Sequence, residues 1–161
     1  MDDWNGTRVT ESRIEIPDAL NELSRDVIRC ANEVHRRLGP GLLERIYEQA
    51  FIHELRLNDI YVVQQTPISI HYKGLELSGQ KLDLLIEDQI VVELKSVERI
   101  IDVHLAQLLS YMRAGNYPLG LLINFNVPLL RNGIHRRINS RGITIEHKPS
   151  PSASSGPLPN E

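Results

Sequence analysis

Lys81-Leu82-Asp83-Leu84-Leu85, then a Glu87-Asp88 turn, then Val91-Val92-Glu93-Leu94-Lys95: these two segments set three charged residues inside otherwise apolar strands. Burying an unpaired charge is costly, so each needs a partner, an ion or water. Alternation along a strand puts Glu93 and Lys95 on one face, about 7 Å apart. If the two segments pair as a hairpin, Asp83 comes beside Glu93 across the ladder. Two carboxylates converging with one ammonium suit a hard divalent cation, since Mg²⁺ takes oxygen ligands and keeps several waters. The lysine can then orient a water or neutralise charge on a phosphate. The same three residues would equally serve as a buried ion-pair network with no chemistry.

The pattern around this hairpin predicts the rest of the domain. Ile90-Val91-Val92 is apolar on both faces, which marks a strand in the middle of its sheet. Upstream, Ile68, Ile70 and Tyr72 alternate with Ser69 and His71, a strand that turns at Lys73-Gly74 into a second one. That second strand runs from Leu75 to Leu77 and from Leu82 to Ile86, with a break expected near Gly79. Downstream, Asp102 is expected to cap a helix to about Ala114, with Leu105, Leu108, Leu109 and Met112 inward. Gly120-Leu121-Leu122-Ile123 is a buried strand, and a short further strand is expected within Gly133–Ile138.

Two helices precede the sheet. Leu20, Leu23, Val27, Ala31, Val34 and Leu38 form one apolar stripe that starts after Pro17-Asp18 and is stopped by Gly39-Pro40-Gly41. The next helix is expected to bury Leu43, Ile46, Ala50 and Leu55 and to end near Asn58. The order α-α-β-β-β-α-β predicts an α/β fold, a mixed central sheet flanked by helices. Residues 1–17 are expected to be a polar arm and 18–147 the working domain. The Pro- and Ser-rich stretch 148–161 is expected to be a disordered tail.

Composition removes several function classes. The chain has 161 residues, 41% hydrophobic and 24% charged, with a net charge of -3. That is ordinary for a globular domain. One cysteine, Cys30, excludes a disulfide framework and any zinc site of two or more thiolates, and it reads as an inert core thiol. No run of 18 apolar residues and no secretory leader is visible, so no membrane partner is expected and a cytoplasmic location is the default. No P-loop, G-x-G-x-x-G, H-E-x-x-H or G-x-S-x-G occurs. Residues 1–59 carry 12 acids and 8 bases, whereas 60–161 carry 9 and 10, with Arg131, Arg136, Arg137, Arg141 and Lys148 close together. This permits a local basic edge on an otherwise solvated surface.

Two polar stripes accompany the charged hairpin. Glu44 and Tyr47 lie one helical turn apart and share a face with Phe51. His104, Gln107 and Tyr111 follow at three- and four-residue spacing on the helix after Lys95, which must fold back on the same sheet to bury its leucines. Each alone reads equally as a surface or core-edge residue. His35 could line a site from the first helix or be a satisfied structural histidine.

Gly41, Glu44 and Tyr47 match the signature of the GxxExxY proteins, a mostly prokaryotic group of the PD-(D/E)XK nuclease superfamily. The resemblance spans roughly residues 20–140. It includes Glu33-Val34-His35, Leu38-Gly39-Pro40-Gly41, Asp83-Leu84-Leu85, Val92-Glu93-Leu94-Lys95, His104-Leu105-Ala106-Gln107 and Leu122-Ile123-Asn124-Phe125. It implies a restriction-endonuclease-like core that hydrolyses phosphodiester bonds with Mg²⁺ or Mn²⁺. By the same resemblance, Asp83, Glu93 and Glu44 would hold metal, Lys95 would position the attacking water, and Gln107 and Tyr111 look like the Q-x-x-x-Y motif of the RecB-like branch. Leu82 stands where a proline often precedes the first acid. The implied partner is nucleic acid, DNA favoured over RNA with both left open by the sequence, and a second copy could help grip a duplex. The competing reading is a nucleic-acid- or partner-binding module that keeps the fold without turnover.

Overall fold

The computed structural model describes residues 15–140. The expected tail and most of the expected arm lie outside the described residues. Ile16 is already buried among core side chains, two residues before the anticipated boundary. The elements are α1 (Asp18–Leu38), α2 (Glu44–Leu57), β1 (Val62–Tyr72), β2 (Leu75–Ile86), β3 (Ile90–Lys95), α3 (Asp102–Ala114), β4 (Leu119–Asn124) and β5 (Ile134–Ile138), with a 3-10 turn at Leu130–Gly133. The strands form one sheet in the order β1-β2-β3-β4-β5. Every pairing is antiparallel except β3 with β4, which is parallel. This is the mixed, helix-flanked sheet expected of a restriction-endonuclease-like fold.

The sheet buries both faces, which explains why β3 has no polar alternation. Ile90, Val92 and Leu94 join the core under α1 and α2, whereas Val91 packs with Leu108, Met112 and Leu122 under α3. Helix α3 lies so close to β4 that a Cβ on Gly120 would collide with Met112 Sδ and Leu108. Cys30 is buried in the α1 side of the core. Among the described residues no helix is long and apolar enough to cross a membrane.

Several local expectations change. Helix α2 buries Tyr47, Phe51, Ile52 and Leu55, and Leu43 and Ile46 face outward, Leu43 at 65% exposure. The reason is Phe125 at the end of β4: its ring stacks on Tyr47 with centroids 4.7 Å apart and meets Phe51 edge-on. That aromatic cluster turns the helix away from the Leu43 stripe. Leu38 is likewise largely exposed at the end of α1. Strand β1 begins at Val62, well before the alternating segment, because Gln64, Thr66 and Pro67 are paired along β2. Strand β2 is continuous. Its anticipated break is a bulge: the register shifts between Ile68↔Gln80 and Ile70↔Leu77, placing one extra residue on β2 around Gly79, whose φ of 107 suits glycine. The helix-capping position is Ile101, not Asp102, and His104 closes that end, its Nδ1 accepting from the Ile101 N–H at 3.2 Å. His35 is structural, with its Nε2–H donating to the Val127 carbonyl at 2.7 Å.

Candidate active site

The Glu87-Asp88 turn sets the register of β2 and β3, and the backbone ladder runs from Ile86↔Ile90 to Leu84↔Val92 and stops there. The next residues in that register are Asp83 and Glu93. Their side chains take over the pairing: Glu93 Oε1 accepts from the Asp83 N–H at 3.3 Å, and Asp83 Oδ2 accepts from the Leu94 N–H at 3.0 Å. The strands part where the carboxylates meet. Glu93 is 3% exposed. Burial, and then the charge of Asp83, push its pKa up to about 8, against the opposing pull of the Asp83 N–H and the Lys95 ammonium. Two apposed carboxyls without a cation share a proton more readily than they both ionise.

Lys95 is half-buried two residues further along β3. The ion pairs among the described residues lie on α1, between Asp26 and Arg29 and between Glu33 and both Arg36 and Arg37. Lys95 is in none of them, yet its charge lowers the pKa of both Glu93 and Glu44. Alongside it, the Phe125 N–H donates to the Lys95 carbonyl at 2.9 Å. Asn124 is buried and binds the following loop: its amide donates to the Val97 carbonyl at 2.9 Å, and its oxygen accepts from the Val97 N–H at 3.1 Å.

The α1–α2 corner brings a third carboxylate. Gly39 and Gly41 adopt φ of 67 and 101, the left-handed region, to make the bend. The Tyr47 hydroxyl donates to the Gly39 carbonyl at 2.5 Å and accepts from the Leu42 N–H at 3.1 Å, clamping the corner shut. The Ser96 hydroxyl donates to the Leu42 carbonyl at 2.6 Å, so strand β3 and the corner are tied at the residue after Lys95. The Ser96 backbone N–H stands near enough to the Glu44 carboxylate to lower its pKa. Partial burial and the Asp83 charge raise its pKa, with Lys95 and the Ser96 N–H opposing. Glu48, one turn on, is raised by burial and by the charges of Asp83 and Glu44, so it faces the same centre.

On α3 the Gln107 amide donates to the Tyr111 hydroxyl at 2.5 Å, and Gln80 of β2 donates to the same oxygen. Tyr111 is buried in the α3 side of the core. The pair Gln107–Tyr111 is therefore formed as its spacing implied, but its hydrogen bonds run to each other and to Gln80 and do not reach the carboxylates. Among the described residues no three His, Cys, Asp or Glu side chains stand close enough to hold one ion together. The structure brings Asp83 and Glu93 into contact and leaves Glu44 within electrostatic range of both Asp83 and Lys95.

A sequence model of the PD-(D/E)XK nuclease superfamily matches residues 21–137, from α1 into β5. The chain belongs to this superfamily. The match spans the two parting strands, the corner and the α3 pair, so the site lies wholly within the nuclease domain. No curated protein and no solved structure matches the chain. PD-(D/E)XK nucleases act on nucleic acid and generally use divalent metals.

Four residues around the carboxylate pair and the α3 pair were not singled out by sequence. Glu48 had a usable signal, since it falls one turn after Glu44. Ser96 follows Lys95 directly, but a surface serine carries no mark of the carbonyl it will meet. Gln80 reaches Tyr111 from beside the Gly79 bulge; the sequence marked the break there but not that contact. Asn124 became informative only through its burial.

Proposed function

We propose that the protein is a metal-dependent nuclease of the GxxExxY type that hydrolyses phosphodiester bonds, in DNA rather than RNA. The observation that carries this reading is the crosswise-bonded Asp83–Glu93 pair at the point where β2 and β3 part, with Lys95 following on the same strand face. A carboxyl held protonated by burial and then by its neighbour's charge fits displacement of that proton by a dication. Mg²⁺ is satisfied by one or two carboxylates with waters completing its shell. Asp83 and Glu93 would hold the ion directly, with the Leu94 carbonyl as a further oxygen. Glu44, beside the Ser96 backbone, would reach it through water.

An ion bound there supplies Lewis acidity towards the scissile phosphate and a more acidic water. The chain's own groups do the rest. The Lys95 ammonium donates to the attacking water and offsets charge that builds on the phosphate oxygens. Gln107 and Gln80 both donate to the Tyr111 oxygen, so the phenolic hydrogen is free to point elsewhere, and Tyr111 would offer it to a phosphate oxygen.

The test is incubation of the purified chain with plasmid, single-stranded DNA and RNA in Mn²⁺ or in EDTA. Cleavage in Mn²⁺ alone, lost in Asp83→Asn with Glu93→Gln, is the expected result. Tight binding with no cleavage in any metal would refute turnover and make the chain a binding module.

A further inference from the structure

One strand over from Lys95, at the carboxyl ends of parallel strands β3 and β4, lies a cleft of about 300 Å³. In α/β sheets ligands bind outside the carboxyl ends of such strands. Its walls come from the β3–α3 loop, with Arg99 and Ile100, from the β4–β5 connection, with Val127 and Asn132, and from His135 at the start of β5, and Asn124 closes its inner end. The cleft is placed by register. Lys95 pairs with Asn124, so the inner end is one strand spacing from the lysine. Glu93 pairs with Leu122 and Leu122 with His135, which sets His135 on the face of Glu93 two strands away, about 10 Å.

Asn124 is spent on Val97, but the rest of the lining is chemically unspent. Among the described residues Arg99 is in none of the ion pairs, all of which lie on α1. Arg99 is exposed, as is Asn132. Burial, then the charge of Arg137, hold His135 below its usual pKa, so its imidazole is neutral at pH 7 with one donor and one acceptor. Ile100 and Val127 add apolar surface. One guanidinium, one amide, one neutral imidazole and two aliphatic side chains match the parts of a nucleotide: anionic phosphate, polar base edge and flat base face.

We infer that this cleft is a substrate subsite that holds the nucleotide next to the scissile phosphate, with Arg99 on its phosphate and Asn132 and His135 on its base. The inference rests on the nuclease reading for the position of the scissile bond. It does not rest on it for the binding chemistry. Glu98 also lines the cleft and opposes an incoming phosphate. Removing its charge should therefore strengthen what removing the Arg99 charge weakens.

The experiment uses the full chain and a fluorescein-labelled 12-mer oligothymidylate, read by anisotropy over a salt series, with single-turnover cleavage in Mn²⁺ alongside. Arg99→Ala should weaken binding roughly ten-fold and lower the slope of affinity against salt by about one. Its cleavage at subsaturating substrate should fall in proportion to affinity. Glu98→Gln should bind more tightly than the wild type. Thermal melts check both variants, which change exposed loop residues. If both variants bind like the wild type, the cleft is not the subsite, whatever the cleavage rate. If the wild type binds but does not cut, turnover falls while the affinities of the two variants still decide the cleft. No binding by the wild type overturns both.

Discussion

Glu93→Gln should stabilise the metal-free protein at alkaline pH. The folded protein holds the Glu93 carboxyl at a pKa of about 8, against 4.5 for an ordinary glutamate. Between those values the folded chain keeps a proton that the unfolded chain releases. Stability is therefore full below the ordinary pKa and is lost as pH rises to the folded one, at about 1.4 kcal/mol per pH unit. From pH 5 to pH 8 the Glu93 carboxyl accounts for up to about 4 kcal/mol, a large part of a typical domain's stability. For a chain of this size that is a fall in Tm on the order of 10 °C. Asp83 on β2, Lys95 on β3 and Glu44 and Glu48 on α2 all act on this centre. Glu44 and Glu48 are themselves raised and add to the same slope, so the wild type and the variant must be compared across pH. Glutamine copies the protonated acid: its oxygen still accepts from the Asp83 N–H and its amide can donate to the Asp83 carboxylate. Urea titrations in EDTA at pH 5, 6.5 and 8 should show the two proteins converging at pH 5 and the variant ahead at pH 8. Parallel pH profiles, or a variant that is weaker at pH 8, would refute the apposed-carboxyl reasoning.

Other perturbations separate the parts of the site. Lys95→Ala should keep Mn²⁺ and nucleic-acid affinity within a few-fold and lose roughly 10²-fold or more in single-turnover cleavage, the scale of removing one electrostatic stabiliser. Wild-type cleavage in that variant would remove Lys95 from the chemistry. Ser96→Ala frees the Leu42 carbonyl and should cost about 1 kcal/mol in urea unfolding, with a larger proportional loss in cleavage that Ser96→Thr restores. Equal effects of Thr and Ala would deny the tether. Tyr47→Phe keeps the stack on Phe125 but strands the Gly39 carbonyl and the Leu42 N–H, and should lower stability by about 1–3 kcal/mol in a denaturant titration.

The strands were legible where the constraint is local. Three apolar residues at 90–92 cannot face water on either side, and β3 is indeed the middle strand of five. The pairing of Asp83 with Glu93 follows from alternation plus a short turn, both readable. Helix α2 was only partly readable: Leu55 is buried as expected, but Leu43-Ile46-Ala50 and Tyr47-Phe51 are rival stripes over its first turns. What decides between them is Phe125, more than seventy residues away. Strand β1 shows the converse: Gln64-Gln65-Thr66-Pro67 has little strand character, and β2 imposes it through the ladder. The proposed site divides along the same line. Residues whose chemistry is unusual for their surroundings, Asp83, Glu93 and Lys95, announce themselves, and those that only tie loops together, such as Ser96 and Asn124, do not.

The crosswise bonds of β2 and β3 carry a spectroscopic consequence. Amide protons in a sheet ordinarily point at carbonyls, whose electron density does not change with pH. Those of Asp83 and Leu94 point at ionisable oxygens instead. Their chemical shifts will move as the carboxyl pair gains or loses its proton, and will move again when a cation draws those oxygens away. Two backbone resonances thus act as an internal indicator of the state of the centre, with no label and no substrate required.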